Sequence, residues 1–428
     1  MNTDQPKLAV SFIRDLNRPM VAVFLDAAPI LEDPVTMRIL KEIATNAVTN
    51  QTVILTGVPG PVPDELSGTA VTWHLRPPSR EEVQEHVERV VAGLGRSVKV
   101  SDPDIPRLVD AVLGLSKAEA ERLIVREAVN DGELSSDDAH RIHRAKAEIL
   151  SDDSPLDLMD ANATLDDVGG LDHLKKWLKI RGRGFEKEAA DYGLEAPKGV
   201  LLVGVPGCGK SLVARALAGS WGMALAALDT GRMHGSYVGE SEKRIQRALD
   251  AAEVMAPVVL WIDEIEKAFG GGGDSDSGAS SRVMSVLLRW LQERPDGVFI
   301  VATSNDVTKL PPEMTRRGRF DEVFFVDLPN TKERLSIMAH HLRQKNRDPR
   351  NFDARELALA TEGFSGAEIE SALTAAMYLA FAEDEPLTTE RLVAEMADTV
   401  PLSRMRPQDV SELRQWGKSH ARPASPVD

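Results

Sequence analysis

The sequence predicts an α/β protein in which a parallel sheet is flanked by helices, followed by a helical lid and preceded by a smaller α/β region. Three observations support this prediction. From about residue 199, short apolar runs alternate with helical patterns, which indicates a parallel sheet covered on both faces. From about residue 333 to 396, the pattern is entirely helical. A glycine-rich turn between the first apolar run and the next helix has a phosphate-binding sequence.

The predicted strands are apolar runs bounded by polar or glycine residues. They are Val200–Gly204, Ala224–Asp229, Val258–Asp263, Val298–Thr303 and Val323–Val326. One of the helices between them places four apolar residues at the spacing of a buried helical face: Ile245, Ala248, Leu249 and Ala252.

The composition is that of a globular protein, with 42% hydrophobic and 28% charged residues in 428. No apolar run approaches the ~18 residues needed to span a bilayer. The single cysteine, Cys208, excludes an intrachain disulfide. The first residues contain no basic stretch followed by an apolar core, so no secretion signal is predicted. We therefore expect a cytoplasmic protein without a membrane partner, or a protein of the plastid stroma if the source is a photosynthetic eukaryote.

The charge is acidic: 67 acidic residues outnumber 51 basic ones, for a net charge of −16. Binding to a phosphate backbone depends mostly on positive charge. The charge therefore argues against nucleic acid as a partner, although a local basic groove remains compatible with it.

Polar, proline-rich and glycine-rich segments along the chain predict where the domains begin and end. Residues 1–150 form an N-terminal domain, and the polar, proline-containing segment 151–163 is a linker. The large sheet domain spans 164–330, and the lid spans 331–400. A C-terminal helix and tail occupy 401–428, and the end of the tail is predicted to fray.

The strongest functional signal is the segment Gly204–Ser211 (GVPGCGKS), which matches G-x-x-x-x-G-K-[ST] between a strand and a helix. Glycines let backbone N–H groups point at phosphates, and the helix N-terminus adds positive potential. Lys210 would reach the β and γ phosphates, and Ser211 would bind Mg²⁺. A glycine-rich turn without nucleotide is the alternative. The predicted nucleotide contacts here are Pro206, Gly207, Cys208, Gly209, Lys210, Ser211 and Leu212.

Two carboxylates end a later apolar strand, at Asp263 and Glu264. In folds of this class, ligands bind at the carboxyl edge of the sheet. Asp263 would hold Mg²⁺ through water, and Glu264 would orient and polarise the attacking water. An apolar strand that ends in two acids is common by itself, and the preceding phosphate loop makes the prediction specific.

Polar residues follow two further strands. Asn305 is placed to bond the γ-phosphate or the attacking water, although a strand-ending turn residue would look the same. The loop Thr315–Asp321 carries three arginines around a glycine. They could form a solvated surface, but phosphoryl transfer needs extra positive charge, often delivered in trans by another subunit.

Together, Gly204–Ser211, Asp263, Glu264, Asn305 and the segment Gly318–Asp321 (GRFD) resemble the AAA branch of the AAA+ ATPases. That resemblance implies a Mg²⁺-dependent ATPase. It also implies that Arg316 and Arg319, three residues apart, are the two arginine fingers and that Arg317 is not an arginine finger.

Two more segments resemble nucleotide-contacting parts of that branch. Residues 165–171 (LDDVGGL) resemble the segment that packs on adenine, which implies contacts from Asp167 and Gly169. Residues 363–369 (GFSGAEI) resemble the lid motif in which Gly366 and Ala367 approach the nucleotide.

The resemblance narrows to the AAA proteins named as a hypothetical chloroplast open reading frame (Ycf-type), found in plastids and bacteria. It rests on residues 235–242 (GSYVGESE), 277–293, 320–329 (FDEVFFVDLP) and 400–404 (VPLSR), and it extends over nearly the whole chain.

In ring-forming relatives, the segment that corresponds to residues 236–239 (SYVG) contains an aromatic or aliphatic residue before a glycine, and this residue faces the central pore and grips polypeptide. The resemblance therefore implies a pore loop at Tyr237 and Val238. The alternative is a loop tyrosine that packs on its own subunit. Cys208 could be a redox switch within the phosphate loop, or simply a small residue that the loop tolerates.

The N-terminal region repeats parts of the second half in order. Residues 24–27 (FLDA) echo 261–264 (WIDE), residues 77–81 echo 329–333, and residues 114–119 (GLSKAE) echo 363–368 (GFSGAE). If the repeat is real, the first copy is catalytically dead. Too few residues precede Asp26 for a phosphate loop, Ala27 replaces the water-activating glutamate, and the arginine loop is shortened. An unrelated α/β adaptor with chance echoes is the alternative.

The sequence thus predicts an ATP-hydrolysing remodeller of a protein substrate that works as a ring homo-oligomer, a hexamer by resemblance. One alternative is an ATP-gated switch or scaffold that recruits one partner without threading it. A second is a nucleic-acid-linked ATPase, against which the net charge argues.

Overall fold

The structure is a computed structural model, and it describes most of the chain. The described residues are 6–16, 18–45, 51–57, 63, 65–66, 68–71, 73, 78–94, 98–100, 104–134, 136–151, 156–161, 163–230, 240–268, 277–293, 296–316 and 318–426. The chain forms two compact units, Met1–Arg76 and Pro77–Asp428. No helix among the described residues is both long and apolar enough to cross a bilayer.

The described residues of the first unit form three helices and one pair of parallel strands. Its elements are α1 (Pro6–Asp15), β1 (Met20–Phe24), α2 (Ala28–Glu32), α3 (Pro34–Thr45) and β2 (Gln51–Leu55). One face of the strand pair packs on the helices through a small apolar core that includes Val10, Ile39 and Leu40. The other face exposes Val21 and Val23.

The second unit begins with a bundle of four helices and a short parallel pair of strands. Its elements are α4 (Arg80–Gly93), β3 (Lys99–Val100), α5 (Asp104–Val112), α6 (Lys117–Asp131), β4 (Glu133–Leu134) and α7 (Ser136–Ser151). Ser79 and Ser116 begin α4 and α6, each through a capping box with the glutamate three residues later. The bundle has its own apolar core, centred on residues such as Leu108 and Ile142.

In the part of the sheet domain that the structure describes, seven strands form one sheet, and helices lie between them. The elements are β5 (Leu156–Met159), α8 (Asp172–Gly182), α9 (Lys187–Asp191), β6 (Gly199–Gly204), α10 (Lys210–Trp221), β7 (Ala224–Leu228), α11 (Glu240–Met255), β8 (Val258–Ile262), α12 (Ser277–Glu293), β9 (Val298–Ser304) and β10 (Glu322–Val326), with the late strand β11 (Arg422–Pro423). The strand order is β11-β10-β6-β9-β8-β7-β5, and only β5 pairs antiparallel.

The predicted fold class is confirmed. Each of the predicted strands is observed, with ends that differ by one residue. Strands β6, β8 and β9 are buried along their whole length, as expected for a parallel sheet with helices on both faces. Helices α11 and α12 pack on one face, and α8 and α10 pack on the other. The predicted inward face of α11 is buried.

The lid follows the sheet as four helices: α13 (Thr331–Gln344), α14 (Ala354–Ala360), α15 (Gly366–Ala382) and α16 (Thr389–Asp398). Capping boxes begin α13 at Asn330 and α15 at Ser365. An apolar core of its own, which includes Leu373 and Leu392, makes the lid a separate packing unit beside the sheet.

The C-terminal tail does not fray as predicted. After α17 (Leu402–Met405) and α18 (Pro407–His420), β11 pairs in parallel with β10. Ala424 is buried; its N–H donates to Phe325 O at 2.9 Å, and its carbonyl accepts from Leu174 N at 3.1 Å. The free edge of β10 supplies hydrogen-bond partners that the tail sequence does not reveal.

The predicted linker 151–163 also contains regular structure, because β5 lies within it and pairs with β7. The bundle and the sheet domain are joined by specific contacts beside this strand. His143 Nε2 accepts from Ala224 N at 2.9 Å. Lys146, almost fully buried, donates to Met255 O at 3.2 Å, to Ala256 O at 3.0 Å and to Leu113 O. The bundle is therefore anchored at the end of α11.

Candidate active site

The predicted phosphate loop lies at the carboxyl end of β6 and leads into α10. Strand β6 runs between β10 and β9, so the loop emerges at the centre of the sheet. Gly204 has φ +155°, and a Cβ there would lie 1.9 Å from Val326 O. Gly209 has φ +84°, and apart from its own neighbours in the chain no described residue lies within 4 Å of the place where its Cβ would be. The loop backbone is thus open to a ligand at Gly209 and tightly packed at Gly204.

Lys210 is buried at the start of α10. Its ammonium donates to the carbonyl oxygens of Gly204 and Val205, both at 2.8 Å. Among the described residues, no carboxylate lies within ion-pair distance of it. Burial lowers the pKa of Lys210 to about 8. A buried ammonium that bonds only to neutral carbonyls is costly, and an anion in the loop would relieve that cost.

Asp263 and Ser211 meet, although they are distant in sequence. Ser211 Oγ donates to Asp263 Oδ1 at 3.1 Å, and Thr303 Oγ1 donates to the same oxygen at 2.5 Å. Thr303 also accepts the N–H of Glu264 at 3.0 Å. The first turn of α10 and the ends of β8 and β9 are therefore connected at one point by hydroxyl and carboxylate oxygens, the ligand type that Mg²⁺ prefers.

Glu264 follows Asp263 in a left-handed backbone conformation, with φ +47°. Such a conformation is uncommon for a residue other than glycine and occurs often at functional sites. Its Oε1 accepts from Asn305 Nδ2 at 3.1 Å, and its Oε2 pairs with Lys267 Nζ. The hydrogen bond from Lys267, the largest cause, holds the pKa of the Glu264 carboxyl below its usual value. Glu264 and Asn305, both predicted site residues, are therefore adjacent.

Three residues at this edge are absent from the sequence prediction. They are Thr303, which bonds Asp263; Lys267, which pairs with Glu264; and Glu266, whose Oε1 accepts the N–H of Asn305 at 3.0 Å. The only available signal is their position, within three residues of Glu264 or two of Asn305. Sequence spacing does not show that these side chains point toward the site.

The lid lies against the phosphate loop. The N–H of Ala367 donates to Gly207 O at 3.0 Å, and a Cβ on Gly207 would meet the Ser365 hydroxyl at 2.9 Å. Gly366 lies beside the same carbonyl, since a Cβ there would be 3.4 Å from it. The predicted lid residues and the predicted loop residues are thus in direct contact.

The predicted adenine segment is also close to the lid. Asp167 closes a capping box with Thr164, and these hydrogen bonds, from the Thr164 backbone first, lower the pKa of its carboxyl. Gly169 packs so tightly on Ile337 of α13 that a Cβ would lie 2.5 Å from that side chain. Glu333 Oε1 accepts the N–H of Leu171 at 2.9 Å. This segment therefore joins the sheet domain to the first lid helix.

The two predicted arginine fingers differ in environment. The Arg316 side chain is 69% exposed and lies 3.7 Å from Glu313. Arg319 is partly buried, and its Nη1 has no hydrogen-bond partner among the residues the structure describes. Asp321 has a structural role, because it accepts from the N–H groups of Lys198 at 2.6 Å and Gly199 at 2.9 Å and so fixes the start of β6.

The predicted redox switch at Cys208 can be compared with the structure, whereas the predicted pore loop cannot. Burial raises the pKa of the Cys208 thiol to about 12, so little reactive thiolate forms near neutral pH. That favours the interpretation of Cys208 as a small tolerated residue over the redox switch. Tyr237 and Val238, the predicted pore loop, lie outside the described residues, as does Arg317.

The site chemistry fits Mg-ATP. Gly209 leaves open space, Lys210 lacks an anionic partner, and Asn305 Oδ1 is buried without a hydrogen-bond partner among the described residues. Within the same residues, no cluster of three or more His, Cys, Asp or Glu could hold a metal. Mg²⁺ bound with nucleotide needs only one or two protein ligands, since phosphates and water supply the rest.

A sheet in which β10, β6, β9, β8 and β7 lie side by side, with a phosphate loop after the interior strand β6 and a helical lid, defines the class of AAA ATPases. Family comparisons agree. Residues 200–328 match the ATPase family associated with various cellular activities, and residues 351–393 match the AAA+ lid domain. Residues 81–153 match the second domain of SpoVK-like AAA ATPases.

Individual relatives narrow the class. The chain is 35% identical to the AAA domain-containing protein ycf46 of Guillardia theta, over 97% of this chain and 82% of that protein. It is 36% identical to the ycf46 protein of Pyropia yezoensis, over 98% of this chain and 86% of that one. The proteasome-activating nucleotidase of Pyrococcus abyssi is 32% identical over 56% of this chain and 62% of its own length. The chain therefore belongs to the ycf46 family of AAA domain-containing proteins.

Proposed function

We propose that this chain hydrolyses ATP at the edge formed by β6, β8 and β9. Lys210 and the backbone of Gly204–Ser211 hold the phosphates, and Ser211 and Asp263 hold Mg²⁺ with its water ligands. Bound Mg²⁺ would neutralise charge that develops on the phosphoryl oxygens. Glu264 orients the attacking water and accepts its proton, and Asn305 aligns Glu264 with the γ-phosphate.

The observation that carries the proposal is the joined set of hydrogen bonds around Asp263 and Glu264. Ser211 and Thr303 share Asp263 Oδ1, and Asn305 donates to Glu264. This arrangement brings a metal-binding group and a water-activating group next to the phosphate loop. A glycine-rich turn with a purely structural role would not require these hydrogen bonds around Asp263 and Glu264.

A ring oligomer, by resemblance a hexamer, is the assembly that we propose. Exposure of Arg316 supports it, because an exposed guanidinium can reach a nucleotide held by another subunit. The remodelled substrate would be a protein, gripped by Tyr237 and Val238. The proposed activity of the chain on protein is also compatible with the name of its relative, the proteasome-activating nucleotidase.

We further propose that residues 1–150 form a truncated, non-hydrolysing AAA-like region. The match of residues 81–153 to the second domain of SpoVK-like AAA ATPases supports this proposal. So does the helical bundle α4–α7, which covers the segment that echoes the lid motif.

The test is the rate of ATP hydrolysis per subunit with Mg²⁺, measured over a wide range of protein concentration. A rate that rises and then saturates is expected if sites are completed between subunits. Glu264→Gln should lower the rate by on the order of 10²-fold or more while retaining bound ATP. The matched control is Glu188→Gln, an exposed residue of α9, which should behave as the wild type.

The results separate the parts of the proposal. No hydrolysis by the wild type at any concentration, or full activity of Glu264→Gln, would contradict the ATPase. A constant rate per subunit, with a monomer mass across the same range, would contradict the ring. With an active ring, ATP trapped on Glu264→Gln should retain a protein substrate that the wild type releases.

A further inference from the structure

Glu266 occupies an unusual place at the active-site edge. It lies in the short turn Ile265–Ala268, which follows Glu264 and is closed by the hydrogen bond from Lys267 N to Glu264 O at 2.8 Å. Its side chain turns inward, and the residue is only 4% exposed. A carboxylate is costly to bury unless its oxygens find donors. Its contacts therefore indicate what this carboxylate does.

One oxygen of Glu266 has a specific partner among the described residues. Oε1 accepts from the backbone N–H of Asn305 at 3.0 Å. Asn305 in turn donates from Nδ2 to Glu264 Oε1 at 3.1 Å. The chain of contacts runs from Glu266 through the backbone and side chain of Asn305 to Glu264. Glu266 therefore fixes the backbone of the residue whose amide orients the water-activating carboxylate.

The other oxygen argues against a purely structural role. Oε2 is buried and has no hydrogen-bond partner among the described residues. Glutamine at this position would keep an acceptor for Asn305 N–H without placing a charge in the interior. An apolar residue of similar size would pack the turn at lower cost. An acceptor is thus kept at this position at a cost to packing, and its contact among the described residues is the Asn305 N–H.

We propose that Glu266 is a positioning residue for hydrolysis: its carboxylate holds the Asn305 backbone so that the Asn305 amide aligns Glu264. This inference rests on the proposed ATPase function. Glu266 itself contacts neither the nucleotide nor the attacking water in this proposal. Because Glu266 acts through Asn305 and Glu264, it should affect the chemical step and leave nucleotide affinity nearly unchanged.

The experiment compares Glu266→Ala with Glu266→Gln in the full chain. Both kcat and KM for ATP are measured with Mg²⁺, together with the affinity for a fluorescent ADP analogue. We expect Glu266→Ala to lower kcat by about 10–100-fold, with KM and analogue affinity within about twofold of the wild type. Glutamine retains an oxygen that accepts the Asn305 N–H, so Glu266→Gln should restore kcat to within about threefold.

Glu127→Ala is the matched control. Glu127 is buried to a similar degree but lies in the bundle, where it pairs with Arg126 and Arg141. Its loss should lower the melting temperature and leave kcat unchanged. This control separates a general loss of stability from a loss of alignment.

The outcomes are distinguishable. The inference is overturned if Glu266→Ala keeps the wild-type kcat, if its defect is confined to KM, or if Glu266→Gln is as impaired as Glu266→Ala. In each of these cases the wild type is active and Glu264→Gln is not, so the ATPase proposal stands. An inactive wild type, or an active Glu264→Gln, would remove the proposed function and this inference with it.

Discussion

Strands β1 and β8 end in similar turns but differ in chemistry. Strand β1 lies parallel to β2, and β8 lies parallel to β9 on one side and to β7 on the other. Each of the two strands runs into a residue with left-handed backbone: φ is +52° at Asp26 and +47° at Glu264. In each pair the neighbouring strand supplies a threonine at the same level, Thr56 or Thr303. The backbone therefore matches Asp26 with Glu264, whereas the sequence echo matches it with Asp263.

This one-residue difference changes which residue of the first unit is compared with Asp263. Leu25 stands where Asp263 stands, and it is 75% exposed. Thr56 Oγ1 donates to a backbone carbonyl, Phe24 O, at 3.3 Å, whereas Thr303 donates to a carboxylate. The first unit thus has the turn without a carboxylate at the position of Asp263, the proposed metal ligand. The same backbone turn at a strand end therefore occurs with and without a carboxylate that bonds the neighbouring threonine.

The helical bundle and the lid extend the comparison. Gly114 and Gly363 both have positive φ, at +93° and +80°, and each is followed two residues later by a serine that begins a helix through a capping box. The difference lies inside the helices. Helix α15 begins with Gly366, and the next N–H donates to the phosphate loop. Helix α6 begins with a lysine instead. The motif common to both segments is therefore a helix start, and α15 adds to it a contact with the phosphate loop.

The largest expected effect comes from removing the group that β1 lacks. Asp263→Asn keeps the shape of the side chain but loses the negative charge that supports Mg²⁺. We expect kcat to fall by roughly 10²–10³-fold, because metal-ion stabilisation is worth several kcal/mol and each 1.4 kcal/mol is tenfold in rate. The measurement is steady-state ATP hydrolysis at saturating Mg²⁺.

Asp26→Asn is the control for Asp263→Asn, since Asp26 ends the comparable strand of the first unit. Its ATPase rate should equal that of the wild type. A loss of hydrolysis in Asp26→Asn, in a protein with an unchanged melting temperature, would show that the first unit takes part in the reaction.

A smaller effect is expected from the two threonines. Thr303→Val removes the hydrogen bonds to Asp263 and to the N–H of Glu264, while its shape is preserved. Outer hydrogen-bond partners of metal-binding groups are typically worth about 10–100-fold. We therefore expect a loss of about tenfold in kcat, or a matching rise in the Mg²⁺ concentration at half-maximal rate. Thr56→Val should leave both unchanged, and equal losses in the two variants would contradict the comparison.

The smallest effect concerns Lys267, whose counterpart after β1 is Pro29. Lys267→Met removes the hydrogen bond that is the largest single cause of the lowered pKa of Glu264. Glu264 must be ionised to accept a proton, so the acidic limb of the kcat profile should move to higher pH. Because Lys267 is 63% exposed, the rate near neutral pH should change less than about fivefold.

The control for Lys267→Met is Lys309→Met. Lys309 pairs with Asp306 at the same spacing and at the end of the neighbouring strand β9, without touching Glu264. Its pH profile should coincide with that of the wild type. An acidic limb that stays in place in Lys267→Met would show that the pair does not tune Glu264.

Much of this protein follows from local sequence. Buried parallel strands are short apolar runs, because both faces of each strand are covered, and the phosphate loop depends on glycines at fixed spacing. Those patterns predict the sheet strands and the residues at their ends, including Asp263 and Asn305. Strand β11 could not be predicted from the tail itself, because a short polar segment with prolines becomes a strand only where the edge of β10 offers partners.

The sequence by itself determined which residue types stand at the strand ends, since spacing and apolar periodicity are local properties of the chain. Tertiary structure alone decided that Thr303 bonds Asp263, that Lys267 pairs with Glu264 and that Glu266 is buried against Asn305. From its sequence position alone, an acidic side chain such as that of Glu266, in the turn after a strand, could point either into solvent or into the interior. The choice depends on the neighbouring strand β9, whose register beside β8 places an N–H within reach of the carboxylate.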